Sequence, residues 1–184
     1  LIKIGYPIGA ALLLEFLAFN IVTILVGRES ALLAATHSIL TTISSSTFMV
    51  PLAISTAVSV KVAYYYGAGK TEEIKRFSLA GLIMGVGFMA LAGICFALFP
   101  KQLISLFTNN KSVLDVAIPI MMVVAMYQVF DGFQVVSGGI LKGFKLTAFV
   151  SNAVFFGYWI VGMPLAVLLV YKYDMSLSGY WIAL

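Results

Sequence analysis

Long apolar runs separated by short polar punctuation dominate the chain. Five runs stand out, at about 5–26, 33–66, 78–99, 113–137 and 148–171, and a sixth begins near Leu177. Each reaches roughly 20 residues, the length a helix needs to cross a hydrocarbon layer of about 30 Å. A membrane β-barrel would show short alternating segments instead. The pattern predicts an all-α integral membrane bundle: five complete transmembrane helices and the start of a sixth.

The connections are short. GRES (27–30) closes the first helix with Gly and two charges. GAGKTEEIKR (67–76) reads as a C-cap followed by Thr71 as an N-cap, with Glu72 and Glu73 in the first turn. PKQLISLFTNNKS (100–112) has room for a short surface helix, and GGILKGFKLT (138–147) and KYDMSLSG (172–179) complete the set. The second run is unusual: it opens with THSILTTISSST (36–47) and carries Pro51. Hydroxyls that bond back to the helix, together with a missing backbone donor, predict a long kinked or tilted helix. Two readings stand for its small polar face, close packing by a neighbour or a water-lined wall. Pro7, Pro119 and Pro164 are further candidate bends, Pro7 near a helix start where proline is ordinary.

Composition agrees. Of 184 residues, 62% are hydrophobic and 10% charged, and mean hydropathy is +1.08. Soluble domains carry about 25% charge. The start, LIKIGYP, has no signal-peptide pattern, and both ends read as cut, so the expected unit is residues 1–184 of a longer chain. Cys95, the single cysteine, reads as a small buried hydrophobe rather than a reactive thiol. With alternating helices, Lys3, Lys61, Lys70, Lys75, Arg76, Lys142 and Lys145 fall on one side, and Arg28, Lys101, Lys111 and Lys172 on the other. The richer side, with loops 67–76 and 138–147, is expected to be cytoplasmic. Lys61 is near enough to a helix end to snorkel to the interface. No basic run suits nucleic acid.

Enzyme chemistry finds no purchase: there is no nucleophile elbow, no metal-ligand His pair and no phosphate loop, since GAGKT (67–71) lacks the P-loop spacing and strand. No cofactor is expected. Candidate chemistry lies in two acids. Glu29, Glu72, Glu73, Asp115 and Asp174 sit at connections, but Glu15 and Asp131 stand near mid-span. A charge there costs about 2.5–3.5 kcal/mol on insertion scales and points to function. Tyr127 (i−4) and Gln134 (i+3) share a helix face with Asp131, Gln128 lies at i−3, and Asn20 follows Glu15 at i+5. This stripe must face a partner helix or a cavity. No Lys or Arg lies mid-span, so an internal ion pair is hard to build. A proton or a bound cation is left to neutralise the acids, unless each is simply a protonated acid bonded to a neighbouring helix.

The same stretches resemble the C-terminal half of the multidrug and toxic compound extrusion (MATE) family, in its NorM-like branch. They are GYPIGAALLLEFLAF (5–19), AATHSILTTISSSTFMVPLAISTAVSVKVAYYYGAGK (34–70), YQVFDGFQVVSGGILKGFKLT (127–147), YWIVGMPLAVLL (158–169) and SGYWIAL (178–184), in family order over nearly the whole chain. The resemblance implies one six-helix lobe of a two-lobe, twelve-helix transporter, with the N-terminal lobe as partner in the same chain. It implies export of bulky organic cations in exchange for Na⁺ or H⁺ across a plasma membrane, the bacterial inner membrane. It also implies that Glu15, Asp131 and Tyr127 hold the coupling cation. From their positions beside these acids, Gln134, Gln128 and Asn20 are candidates to line a cavity, and for Asn152 a bond across helices competes with a cavity-lining role. The family's usual Arg in the Gly-x-Leu-Arg-Gly stretch is Lys142 here, to which no role beyond cytoplasmic anchoring is given. Two other functions compete: a lipid-linked oligosaccharide flippase of the same superfamily, which would want phosphate-binding cations mid-span, and a non-transporting membrane assembly subunit, which would not need two mid-span acids. For His37, a pH-sensing role competes with simple packing. The Phe, Tyr and Met content suits an adaptable pocket as well as any membrane bundle.

Overall fold

A computed structural model describes the backbone of residues 2–184 and the side chains from Gly5 onward. The side chain of Lys3, counted in the charge asymmetry, lies outside the described residues. The elements are α1 (Ile2–Glu29), α2 (Ala31–Gly67), α3 (Thr71–Leu98), the short α4 (Pro100–Ser105), α5 (Lys111–Gly143), α6 (Thr147–Val154), a π-helical segment (Phe155–Gly162), α7 (Met163–Tyr171) and α8 (Ser176–Ala183). Five spans are long and apolar enough to cross a membrane, the fifth running from Thr147 to Tyr171. As the pattern predicts, the architecture is all-α, and a short helix does occupy the 100–112 connection.

Boundaries differ in instructive ways. α1 runs through Gly27 and Arg28 to Glu29, and Ser30 caps α2 by accepting from the Leu32 N–H. Thr71 is not an N-cap; Lys70 occupies that position without a side-chain cap bond. In the tight turn between α2 and α3, Gly69 takes φ +68°, and the Lys70 N–H returns to the Tyr65 carbonyl at 3.0 Å. A left-handed residue closing a helix in this way is a C-cap, not a phosphate loop. Residues 138–143, read as loop, are the last turns of α5. Gly139 and Gly143 are contact points with α2: a Cβ on Gly143 would sit 2.7 Å from Val62 Cβ and 2.8 Å from the Ser59 carbonyl.

α2, α3 and α5 form one tightly packed group. A Cβ on Gly93 of α3 would stand 2.6 Å from the Ala125 carbonyl of α5, so the backbones touch where only glycine fits. The Ser55 hydroxyl donates to the Val135 carbonyl at 2.8 Å. α2 continues unbroken through the buried Pro51. A second group sets α1 against α6 and the π segment, and α7 against α8. The two groups meet along a seam where α1 touches α2 and α8 touches α5. At one end Tyr180 donates to Glu29 at 2.9 Å. Cys95 faces outward from α3, not into the core.

Candidate functional site

Glu15 reaches the seam from the middle of α1, and Asp131 from the middle of α5. Asp131 is 3% exposed, and its Oδ1 has no hydrogen-bond partner. Glu15 lies within the field of Asp131. Around them stand Tyr127, one turn before Asp131, and Tyr158 from the π segment. The Tyr158 hydroxyl is buried and unpartnered, with Gln134 close by. Two carboxylates, two phenols and an amide from three separate spans thus gather at one place. The Trp159 indole fixes the geometry by donating to the Leu14 carbonyl at 3.2 Å, next to Glu15.

Two cavities open from this point toward opposite ends of the bundle. One, of about 430 Å³, is lined by Glu15, Asp131, Tyr127, Asn20, Thr41 and Trp181 among others. The other, of about 370 Å³, is lined by Glu15, Gln134, Tyr158 and, toward the C-terminal end of α5, Lys142. Glu15, Leu12 and Phe48 belong to both walls, so Glu15 stands at the junction. In the first cavity Tyr127 packs edge-on to Trp181 at 5.8 Å. Trp181 in turn packs at 5.7 Å on His37, which is 1% exposed with neither ring nitrogen bonded. His37 is a packed histidine.

The expected residues divide. Glu15, Asp131, Tyr127, Gln134 and Asn20 line one or both cavities. Gln128 does not: it is fully buried between α5 and α2. There its Oε1 accepts from the Ser44 hydroxyl at 3.0 Å, and its Nε2 donates to Thr47 Oγ1. Three residues fall about 60° short of a full helical turn, enough for Gln128 to meet α2 and Asp131 the seam. Asn152 is exposed on α6 and lines neither cavity. Most hydroxyls of 36–47 bond to their own helix, as Thr36 does to the Leu32 carbonyl at 2.9 Å and Ser45 to the Thr41 carbonyl at 2.7 Å. Thr41, Ser44 and Ser45 nevertheless line the larger cavity, so the stretch both packs and forms wall.

Two residues enter that the sequence reading left out of the site. Tyr158 sits in an apolar run with no polar neighbour to flag it; the π-helical turn that presents it is a frequent mark of functional segments. Lys142 was assigned to the membrane interface, yet it lines a cavity with Glu15 and its charge reaches that carboxylate. As expected, neither mid-span acid forms an ion pair among the described residues, but a lysine stem is long enough to bring the Lys142 charge into the cavity that Glu15 lines. Among the described residues, no group of three or more His, Cys, Asp or Glu is assembled. The donors gathered are oxygens, the type that suits hard cations rather than metals that favour thiolate or imidazole.

Helices long and apolar enough to span a membrane, with a buried and a half-buried carboxylate brought beside two cavities, define a polytopic helical membrane protein. The MatE family profile matches residues 7–168, and the chain belongs to that family. It is 38% identical to a probable multidrug resistance protein NorM from Mesorhizobium japonicum, over all of this chain and 40% of the relative. It is 30% identical to the multidrug resistance protein NorM of Vibrio vulnificus, over 99% of this chain and 41% of the relative. The chain therefore spans about two fifths of the length of these relatives. The crystal structure of the eukaryotic MATE transporter AtDTX14 has the same fold over 99% of this chain and 41% of its own, with a TM-score of 0.89 at 22% identity. The family is one of transporters rather than enzymes.

Proposed function

We propose that this chain is the C-terminal lobe of a cation-coupled multidrug exporter. It exchanges Na⁺ or H⁺ for bulky organic cations, with an N-terminal lobe of the same chain completing the central cavity. The observation that carries the reading is the meeting of Glu15 and Asp131, from two helix groups, at the junction of two cavities. The coupling cation binds between the two carboxylates, with Tyr127 and Gln134 beside them and Asn20 on the outer approach. The protein sits in the bacterial inner membrane, with the turns around 67–76 and 138–147 on the cytoplasmic side, where the basic residues are concentrated.

Coupling requires that the cation bind the inward- and outward-facing states with different affinity. A site divided between helix groups meets that requirement, because relative movement of the groups alters the oxygen spacing. The test is drug efflux from vesicles under an imposed Na⁺ or proton gradient, using the full-length protein and its Asp131→Asn and Glu15→Gln variants. Loss of gradient-driven efflux in either variant is expected; undiminished efflux in both overturns the assignment.

A further inference from the structure

Lys142 ends α5 as the basic residue of its last turn. Its side chain is half-buried and lines the smaller cavity. Among the described residues, no other Lys, Arg or His lines that cavity, and Glu15 is its one side-chain carboxylate. The remaining polar lining is Ser55, Ser137, Gln134 and Tyr158. The field of Lys142 acts on Glu15, but the two form no ion pair within 4.0 Å; among the described residues the one ion pair is Lys75–Glu72. An ammonium on a flexible four-carbon stem thus faces a half-buried carboxylate across an open cavity.

We propose that Lys142 is the resident counter-charge of Glu15: its ammonium moves onto the carboxylate when the site lacks a cation and is displaced when the coupling cation enters. The inference rests on the antiport reading above. Two physical arguments support it. Bare carboxylates in a low-dielectric seam repel each other and are poorly solvated, and the lysine relieves this without an external ion. A flexible point charge also leaves more readily than a guanidinium, whose rigid fork holds a carboxylate by two bonds. Lys142 therefore sets the apparent cation affinity by competition and allows the empty carrier to reorient.

The test uses the full-length protein in two readouts. The first is equilibrium binding of radioactive Na⁺ to wild type, Lys142→Gln and Lys142→Arg. Removal of a unit charge at this range is expected to tighten binding about tenfold in Lys142→Gln, while gradient-driven exchange slows because the empty carrier returns poorly. Lys142→Arg keeps the competing charge and binds no more tightly than wild type. The second is carbodiimide cross-linking in Na⁺-free buffer. An activated Glu15 carboxyl and the Lys142 amine form an amide, the carbodiimide leaves as its urea, and mass spectrometry reads the joined peptides. Na⁺ is expected to suppress the product. Equal affinities in all three proteins with no cross-link overturn the lysine proposal and leave the antiport reading standing. Should the wild type neither bind Na⁺ nor release protons on drug binding, the antiport reading falls, and the cross-link alone decides whether Lys142 neutralises Glu15.

Discussion

Gln128 and Asp131 stand three residues apart on α5, both buried, and meet opposite fates. The amide is held by the Ser44 and Thr47 hydroxyls of α2, whereas the carboxylate Oδ1 has no partner. A satisfied buried amide contributes to structure, whereas a buried carboxylate oxygen with no protein partner keeps its capacity to accept a bond.

Gln128→Leu should therefore act on stability rather than on transport specificity. It leaves the Ser44 hydroxyl without its acceptor, a loss of about 1–3 kcal/mol. A lower Tm in detergent is expected, with the KM for drug unchanged. Adding Ser44→Ala should recover part of the loss, because both ends of the bond then become apolar. A shifted drug KM with unchanged Tm would return Gln128 to the cavity wall.

Tyr158→Phe should show the opposite profile. The hydroxyl is buried without a hydrogen bond, so its removal relieves an unpaired group and leaves Tm unchanged or slightly raised. The phenol shares a cavity wall with Glu15 and Gln134, two residues of the proposed cation site, so cation affinity measured by equilibrium binding is expected to fall several-fold. A large drop in Tm with unaltered affinity would make it a packing residue.

The helix contacts make a paired expectation. Gly93→Val drives atoms into the Ala125 carbonyl, 2.6 Å from the new Cβ, and should destabilise by about 1–3 kcal/mol. A Cβ on Gly87, six residues away on α3, meets nothing within 4 Å, so Gly87→Ala should be neutral or gain up to about 1 kcal/mol from helix propensity. Thermal unfolding of the two variants separates close approach from glycine content as the cause.

Lys145 adopts φ 64° in the turn between α5 and α6, where the Leu146 N–H returns to the Leu141 carbonyl at 3.0 Å. A left-handed backbone disfavours a Cβ by about 1–2 kcal/mol. Lys145→Gly should raise Tm slightly, by the equivalent of about 0.5–1 kcal/mol after glycine's greater unfolded entropy is counted.

The spans were legible because run length alone decides whether a helix can cross a bilayer. Glu15 and Asp131 were legible because charge is rare there. The rest failed for definite reasons. Gly138, Gly139 and Gly143 look like chain breakers in one dimension, yet the last two are where α5 meets α2. The polar stripe on α5 showed which residues avoid lipid, but not which of them turn to α2 and which to the seam. Lys142 was measured by the position of its Cα, and its amine lies a side chain away. Tyr158 carried no signal, because an aromatic in an apolar run looks the same whether its hydroxyl meets lipid headgroups or a carboxylate. Its placement depends on the π-helical turn, a backbone feature that apolar periodicity does not encode.

The seam makes the candidate site a gauge. Asp131, Tyr127 and Gln134 travel with one group of helices, Glu15 and Tyr158 with the other. In the antiport reading, oxygens anchored on two helix groups meet an occupant of different size by a change in the spacing of the groups. The radius of whatever lies between them is thereby translated into the width of the gap. A protonated carboxyl, a sodium ion and a lysine ammonium would each set a different width. Discriminating among cations and setting the posture of the lobe are then one physical quantity, read once as chemistry and once as shape.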